Sequence, residues 1–256
     1  MSDTYFKGKT AIITGSSGTI GSAIALAFAK RGCNLLLVDQ SAPSAELLNT
    51  LAETEAHIAV CTCDVSSFQA CGMAVDQAVS EFGSIEYLVN NAGIVRDSMI
   101  RNMTEEQWDE VFATDLKSCF NLTRPIWAVF EKRFEANGKM GSAGSIINMS
   151  SVTSYIANIG QSNYGTAKGA VALYTLHCAR EFAKIGVTVN ALAPGFIPSA
   201  ITNRLQGAAR ERYLAQIPLK RMGTPEEVAA GAVFLAENRY ITGQILHIDG
   251  GLAMQY

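Results

Sequence analysis

Charge is scarce in this chain. Of its 256 residues only 17% are Asp, Glu, Lys or Arg, and 20 basic residues stand against 23 acidic ones, a net charge of −3. That balance excludes the basic field that draws a protein to nucleic acid. Low charge beside 48% hydrophobic residues also excludes disorder, which needs the opposite composition. Long apolar runs are missing too. None approaches the roughly 20 residues of a membrane helix, so no membrane partner is expected. The opening MSDTYFKGK holds no apolar h-region, so no secretory signal is expected and the cytoplasm is the expected compartment. His57, His177 and His247 lie apart, and the six cysteines, at 33, 61, 63, 71, 119 and 178, form no CxxC pair. No metal site is expected from them. The cysteines read as small buried hydrophobes in a reducing compartment.

What the chain does have is alternation. Short apolar runs at Thr10–Thr14, Asn34–Val38, His57–Cys63, Tyr87–Asn90, Ser145–Met149, Val187–Ala191 and Gln244–Ile248 read as strands buried on both faces. Helical patterns lie between them. Ile20, Ile24 and Phe28 recur at spacing four. Thr104 with Gln107, and Thr224-Pro225-Glu226-Glu227, are capping signatures. The order predicts an α/β fold, one doubly wound parallel sheet of about seven strands flanked by helices, in a single domain over 1–256. The stretch 195–223 lacks a strand. Its Ile201, Leu205, Tyr213, Leu214 and Ile217 suit a mobile helical lid over a ligand site.

The first strand runs into Thr14-Gly15-Ser16-Ser17-Gly18-Thr19-Ile20-Gly21, and a helix follows. Strand, glycine turn and helix N-terminus together make an anion site, because free N–H groups and the helix dipole both favour a pyrophosphate. Asp39 closes the second strand, where a carboxylate can accept from an adenosine ribose. Asp64-Val65 ends the third and is read evenly as an adenine contact or as a local cap near Ser66 and Ser67. Asn90-Asn91-Ala92-Gly93 ends the fourth, its small residues letting backbone pass close to a flat ligand. All four elements fall on the carboxyl edge of the sheet, where open α/β sheets bind ligands.

Tyr164 and Lys168 stand four apart, on one face of a helix. An ammonium beside a phenol favours the phenolate, so the spacing predicts a lowered tyrosine pKa and a group able to pass a proton to or from an alcohol oxygen. Ser151 follows the fifth strand with a hydroxyl for the same oxygen. Tyr5 and Lys9 repeat the spacing, but they precede the first strand and have no upstream serine.

The chain resembles the short-chain dehydrogenase/reductases along essentially its whole length. The resemblance rests on the Thr14–Gly21 turn, Asn90–Gly93, Ser151 with Tyr164 and Lys168, and Pro194-Gly195, in the family's order. It implies a Rossmann fold in which Gly15, Ser17, Thr19, Ile20, Gly21, Asp39, Asp64, Val65, Asn91, Ala92, Gly93, Pro194 and Gly195 surround the cofactor. Lys168 would also bind the nicotinamide ribose, and Ile197 and Ser199 the carboxamide. Hydride would pass between nicotinamide and a carbonyl carbon while Tyr164 handles the proton. A homotetramer of D2 symmetry is also implied. Within the family, Asn91–Ile94 with Arg96-Asp97, Pro194–Ile197, Ile217–Leu219 and Tyr240–Gln244 are similar to bacterial 3-oxoacyl-acyl-carrier-protein reductases. Three positions depart from the family pattern. Thr19 replaces the second glycine of the turn, and Asp115 stands where an asparagine is usual. Ile185, after Lys184, takes the place of a basic residue, which bears on docking of an acidic carrier protein.

The expected function is an NAD(H)-dependent interconversion of ketone and secondary alcohol, with NAD preferred over NADP because Asp39 repels a 2′-phosphate. A 3-oxoacyl thioester is the first substrate expected, a sugar, polyol or other small alcohol the second. A nucleotide-binding regulator without turnover is the alternative of another class. Asp115 is expected to join Ser151, Tyr164 and Lys168 in catalysis.

Overall fold

The computed structural model describes residues 5–198, 211 and 214–254. Seven strands form one parallel sheet in the order β3-β2-β1-β4-β5-β6-β7. They are β1 (Thr10–Thr14), β2 (Asn34–Asp39), β3 (Ile58–Thr62), β4 (Tyr87–Asn90), β5 (Gly144–Met149), β6 (Val187–Pro194) and β7 (Ile245–Ile248). The connecting helices are α1 (Thr19–Ala29), α2 (Ala45–Ala52), α3 (Phe68–Phe82), α4 (Glu105–Val111), α5 (Ser118–Ala136), α6 (Ser162–Phe182) and α7 (Pro225–Glu237). Each expected strand is present; β1 and β4 have the expected ends, and the others have ends moved by one to three residues. The largest shift is in β6, which runs on to Pro194 because Ala193 and Pro194 pair with His247 and Ile248 of β7. The strand order reverses between β1 and β4, which opens the crevice where such sheets hold ligands.

Both capping boxes form. Thr104 accepts from Gln107 N and Thr224 from Glu227 N, and each N3 side chain reciprocates. Between α4 and α5 the helix widens into a π turn, Phe112–Lys117. A π turn carries an extra residue and so re-aims the side chains around it. Asp115 lies within it and is buried.

The sheet is covered on both faces, as continuous apolar strands require. One apolar cluster joins β1 and β2 to α1 and α7, the other joins the opposite face to α3, α5 and α6. Phe6, ahead of β1, is fully buried in the first. Its ring meets Phe28 at 5.0 Å and Tyr87 at 5.1 Å between centroids. Neighbouring Tyr5 explains the duplicated Tyr–Lys spacing. Lys9 Nζ lies 3.5 Å from the Tyr5 ring centroid, and Arg239 Nε donates to the Tyr5 hydroxyl at 2.7 Å. The pair is a cation–π clasp that ties the N-terminal lead to the turn after α7, far from the carboxyl edge.

Five of the cysteines are buried and Cys61 is half-buried; all six are free thiols. Among the described residues no cluster of His, Cys, Asp and Glu could hold a metal, and no helix is long and apolar enough to cross a membrane. Of the stretch 195–223, Ser199 and the apolar Ile201, Leu205 and Tyr213 lie outside the described residues, while Ile217 is buried.

Phe6→Ala removes a fully buried aromatic ring from between two others. It should cost roughly 3–5 kcal/mol of unfolding free energy, read from denaturant titration. A loss under about 1 kcal/mol would show that the lead does not belong to the core.

Candidate active site

The turn after β1 is shaped by two close approaches. Gly15 has φ +61°, and a Cβ there would lie 2.8 Å from Ala92 Cα. A Cβ on Gly21 would run into Gly15 O, so α1 can start against the turn only with glycine at that point. Thr14 stitches the two sides of the crevice: its Oγ1 accepts from Asn91 N and Ala92 N, each at 3.0 Å. Asn91 Nδ2 returns to Thr14 O at 2.9 Å and Gly15 O at 3.1 Å. Gly18 caps α1 without a side-chain hydrogen bond, and no acidic residue occupies the first turn. The helix therefore offers unpaired N–H groups and a positive dipole end to the crevice. Thr19 is exposed at the helix start, so its side chain does not fill the turn. Asp39 closes the far side, its carboxylate accepting from Ser17 N at 2.9 Å and Ser41 N at 3.2 Å.

These groups line a cleft of about 530 Å³ that runs from the turn to the catalytic helix. Gly15, Ser17, Thr19, Ile20, Gly21, Asp39, Val65, Asn91, Ala92, Gly93, Tyr164 and Lys168 all face it. Its donor set fits a dinucleotide, with bare helix N–H groups for a pyrophosphate and a carboxylate for a ribose. Asp64 is not on its wall. Its carboxylate accepts from Ser66 N at 2.9 Å, and that bond holds its pKa below the usual range, so the capping role is the one seen. Cys63 and Val65 wall the cleft beside it. Gly195 packs backbone to backbone, its N donating to Ile248 O at 2.9 Å, and Ile197 is buried against Gly223. Pro194, Gly195 and Ile197 thus stand at the end of β6, outside the lining of the cleft.

At the other end α6 brings Tyr164 and Lys168 together as the spacing predicts. A buried polar chain seats the helix: Asn90 Nδ2 donates to Asn148 Oδ1 at 2.8 Å, and Asn148 Nδ2 to Thr175 Oγ1 at 2.9 Å. Ser150 Oγ donates to Lys168 O at 2.9 Å. Ser151 is buried and caps a single 3-10 turn, Val152–Ser154, its Oγ accepting from Thr153 N and Oγ1 at 3.2 and 2.9 Å. Asn163, fully buried, donates to Arg96 O and Gln107 O and accepts from Tyr164 N at 2.8 Å. It was not singled out in the sequence, because a lone asparagine has no periodic or spaced partner.

Lys168 is 3% exposed. Its Nζ donates to Met149 O at 3.0 Å and sits 3.1 Å from Asp115 Oδ2. Asp115 Oδ1 accepts from Ile94 N at 2.8 Å, while Oδ2 takes no aligned hydrogen bond among the described residues. The contact is therefore ionic in character. A Cβ on Gly93 would reach within 2.8 Å of Asp115 Oδ2 and 3.1 Å of Lys168 Nζ, so a side chain there would push the ion pair from its place.

The electrostatics correct one expectation. Burial is the largest influence on Tyr164 and pushes its phenol up; Lys168 opposes, Asp115 reinforces, and the result lies above the usual tyrosine range. The lysine alone does not bring the phenol down. Burial would lower Lys168, but the Asp115 carboxylate and then Tyr164 carry it above its ordinary value. Burial likewise raises Asp115, with Lys168 resisting.

Residues 15–253 match the family model described as enoyl-(acyl carrier protein) reductase. The chain belongs to the short-chain dehydrogenase/reductase family. Membership makes it an oxidoreductase acting on CH–OH groups with a nicotinamide cofactor. This short-chain dehydrogenase/reductase is 39% identical over 251 residues to a 3-oxoacyl-acyl-carrier-protein reductase of Vibrio cholerae, covering 97% of this chain and 98% of the relative. It is equally 39% identical to the protein of the same name from Thermotoga maritima, covering 97% and 99%. A solved structure of a proposed short-chain alcohol dehydrogenase from Sinorhizobium meliloti superposes with TM-score 0.86 at 30% identity, covering 96% of each chain.

Proposed function

We propose that this short-chain dehydrogenase/reductase reduces the keto group of a 3-oxoacyl thioester at the expense of NADH. The single observation that supports this most is the convergence of Tyr164, Ser151 and the ion-paired Lys168 at one end of a dinucleotide-shaped cleft. The relatives' names point to the thioester. A small sugar or polyol remains the second reading within the same chemistry. The nicotinamide group would supply hydride, and Gly93 and Lys168 would lie beside it.

The protein's own part is to hold and move one proton. Ser151 lies within side-chain hydrogen-bonding reach of Tyr164, so a carbonyl oxygen there would accept from both hydroxyls. Tyr164 would give up its proton as the oxygen becomes an alkoxide. A phenol held above its usual pKa stays protonated at neutral pH, which suits ketone reduction. Lys168, charged and fixed by Asp115 and Met149 O, would steady the tyrosinate and hold the ribose. Asp115 is assigned to the site as the group that sets the charge on that lysine. Asp39 supports NADH over NADPH: beside a 2′-phosphate each like-charge pair at about 4 Å costs roughly 1–4 kcal/mol.

The working assembly is proposed to be a homotetramer. Phe120 on α5 and Leu173 and Leu176 on α6 are exposed large apolar residues, and exposed apolar surface on such helices supports association.

Three outcomes follow from these roles. Tyr164→Phe should lower kcat about 10²–10⁴-fold with NADH binding nearly intact. A variant keeping more than about a tenth of wild-type kcat would refute the proton donor. Steady-state assays with a 3-oxoacyl thioester should give a higher kcat/KM with NADH than with NADPH; the reverse order would remove Asp39 from cofactor choice. Asp115→Asn takes away a carboxylate that disfavours the tyrosinate, so the Tyr164 pKa falls. The alkaline-activating limb of the alcohol-oxidation profile should then move to lower pH, and an unmoved limb would leave Asp115 without a catalytic part.

A further inference from the structure

The turn that carries Ser151 is held from two sides. Ser151 Oγ accepts from Thr153 N at 3.2 Å and from Thr153 Oγ1 at 2.9 Å. A hydroxyl has two lone pairs and one hydrogen. With both lone pairs taken, the hydrogen is what Ser151 has left to give, and its direction follows the turn Val152–Ser154. The near side is fixed through Ser150, whose Oγ donates to Lys168 O at 2.9 Å and lies 3.1 Å from Ser154 Oγ. Ser150 N donates to Leu192 O at 2.8 Å, which ties that side to β6.

The far side ends on Tyr155, whose N donates to Val152 O at 2.9 Å. Tyr155 is half-buried, and its ring leans on that of His247, 4.5 Å between centroids at an angle of 52°. His247 is a firm support. It sits in β7, paired with Ala193 of β6. Its Nδ1 faces Asp249 Oδ2 at 3.7 Å, and Asp249 is pinned in turn, accepting from Gly251 N at 2.9 Å and Ala253 N at 2.8 Å. A Cβ on Gly195 would meet Asp249 Cα at 2.7 Å, so the chain leaving β6 closes over the same spot. Tyr155 thus links a loop to the edge of the sheet, and groups built on strands hold a geometry better than groups on loops.

Resting on the proposed reaction at Tyr164 and Ser151, we infer that His247 is a positioning residue for carbonyl reduction, acting through the Tyr155 ring on the hydroxyl of Ser151. In this role it needs no contact with the substrate. The ring pair keeps the turn Val152–Ser154 from rocking, and so keeps the Ser151 hydrogen aimed at the oxygen that Tyr164 protonates. A misplaced donor still lets substrate bind but stabilises the forming alkoxide less, so the cost falls on kcat more than on KM. What His247 supplies is a flat ring. Its 3.7 Å approach to Asp249 is too long for a hydrogen bond, so the imidazole is not built as a proton relay.

The test is a double-mutant cycle read in kcat with a 3-oxoacyl thioester and NADH. His247→Ala should lower kcat about three- to tenfold, the range one ring pair supplies, with the NADH Kd unchanged. His247→Phe keeps a ring and should restore kcat to within about twofold of wild type. Tyr155→Ala removes the same contact from the loop side, leaves β7 intact and should match His247→Ala. In a Ser151→Ala background either alanine should cost less than about twofold, because the hydroxyl they aim is gone. An undiminished loss in that background, a Tyr155→Ala kcat within about twofold of wild type, or a His247→Phe enzyme as slow as His247→Ala overturns the inference. Wild type that turns over neither thioester nor small ketone overturns the proposed reaction and this inference with it, whereas any of the former results with an active wild type overturns the inference alone.

Discussion

A buried ammonium organises this molecule's working end. Taking Lys168 out of water costs several kcal/mol unless an anion and aligned acceptors meet it. Asp115 and the carbonyl of Met149 do so. That requirement reaches into four elements at once. The α4–α5 junction widens into a π turn that contains Asp115. The loop after β4 passes over the pair at Gly93, where a Cβ would crowd both charged ends. Ile94 must present its N–H to the second carboxylate oxygen. The end of β5 must present the Met149 carbonyl to Lys168 Nζ. The chain Asn90–Asn148–Thr175 then holds α6 at the depth that makes these distances possible.

The same pair explains why the site favours one protonation state. A carboxylate beside the lysine cancels much of the field that would otherwise favour tyrosinate. What remains at the phenol is desolvation, which keeps its proton on. The two ends of the cleft are thus electrostatic opposites. The turn end offers bare N–H groups and the dipole of α1, suited to anions. The catalytic end carries a lysine whose charge Asp115 offsets.

Much of this was legible in the amino-acid order. Continuous apolar runs separated by amphipathic stretches can bury both faces of a strand only in a parallel, helix-covered sheet, so the layer order followed from composition and period. Glycines 15 and 21, Asp39 and Asn91-Ala92-Gly93 each follow a strand, and a parallel sheet delivers every strand end to one edge. Tyr164 and Lys168 are local partners, joined by the pitch of one helix. Spacing is enough wherever geometry repeats along the chain.

Other features needed the tertiary structure, because they depend on which distant groups share a desolvated space. The spacing of Tyr164 and Lys168 implied a lowered phenol, but burial and Asp115 decide the balance, and neither has a local signature. The sequence left Asp64 open between an adenine contact and a local cap, and the hydrogen bond from Ser66 N decides for the cap. Asn163 and Met149 matter through hydrogen bonds to groups far along the chain. The sequence by itself determined the sheet, its carboxyl edge and the helical Tyr–Lys pair, since these follow from periodicity. The charge state of that pair was decided only when folding removed water from around it.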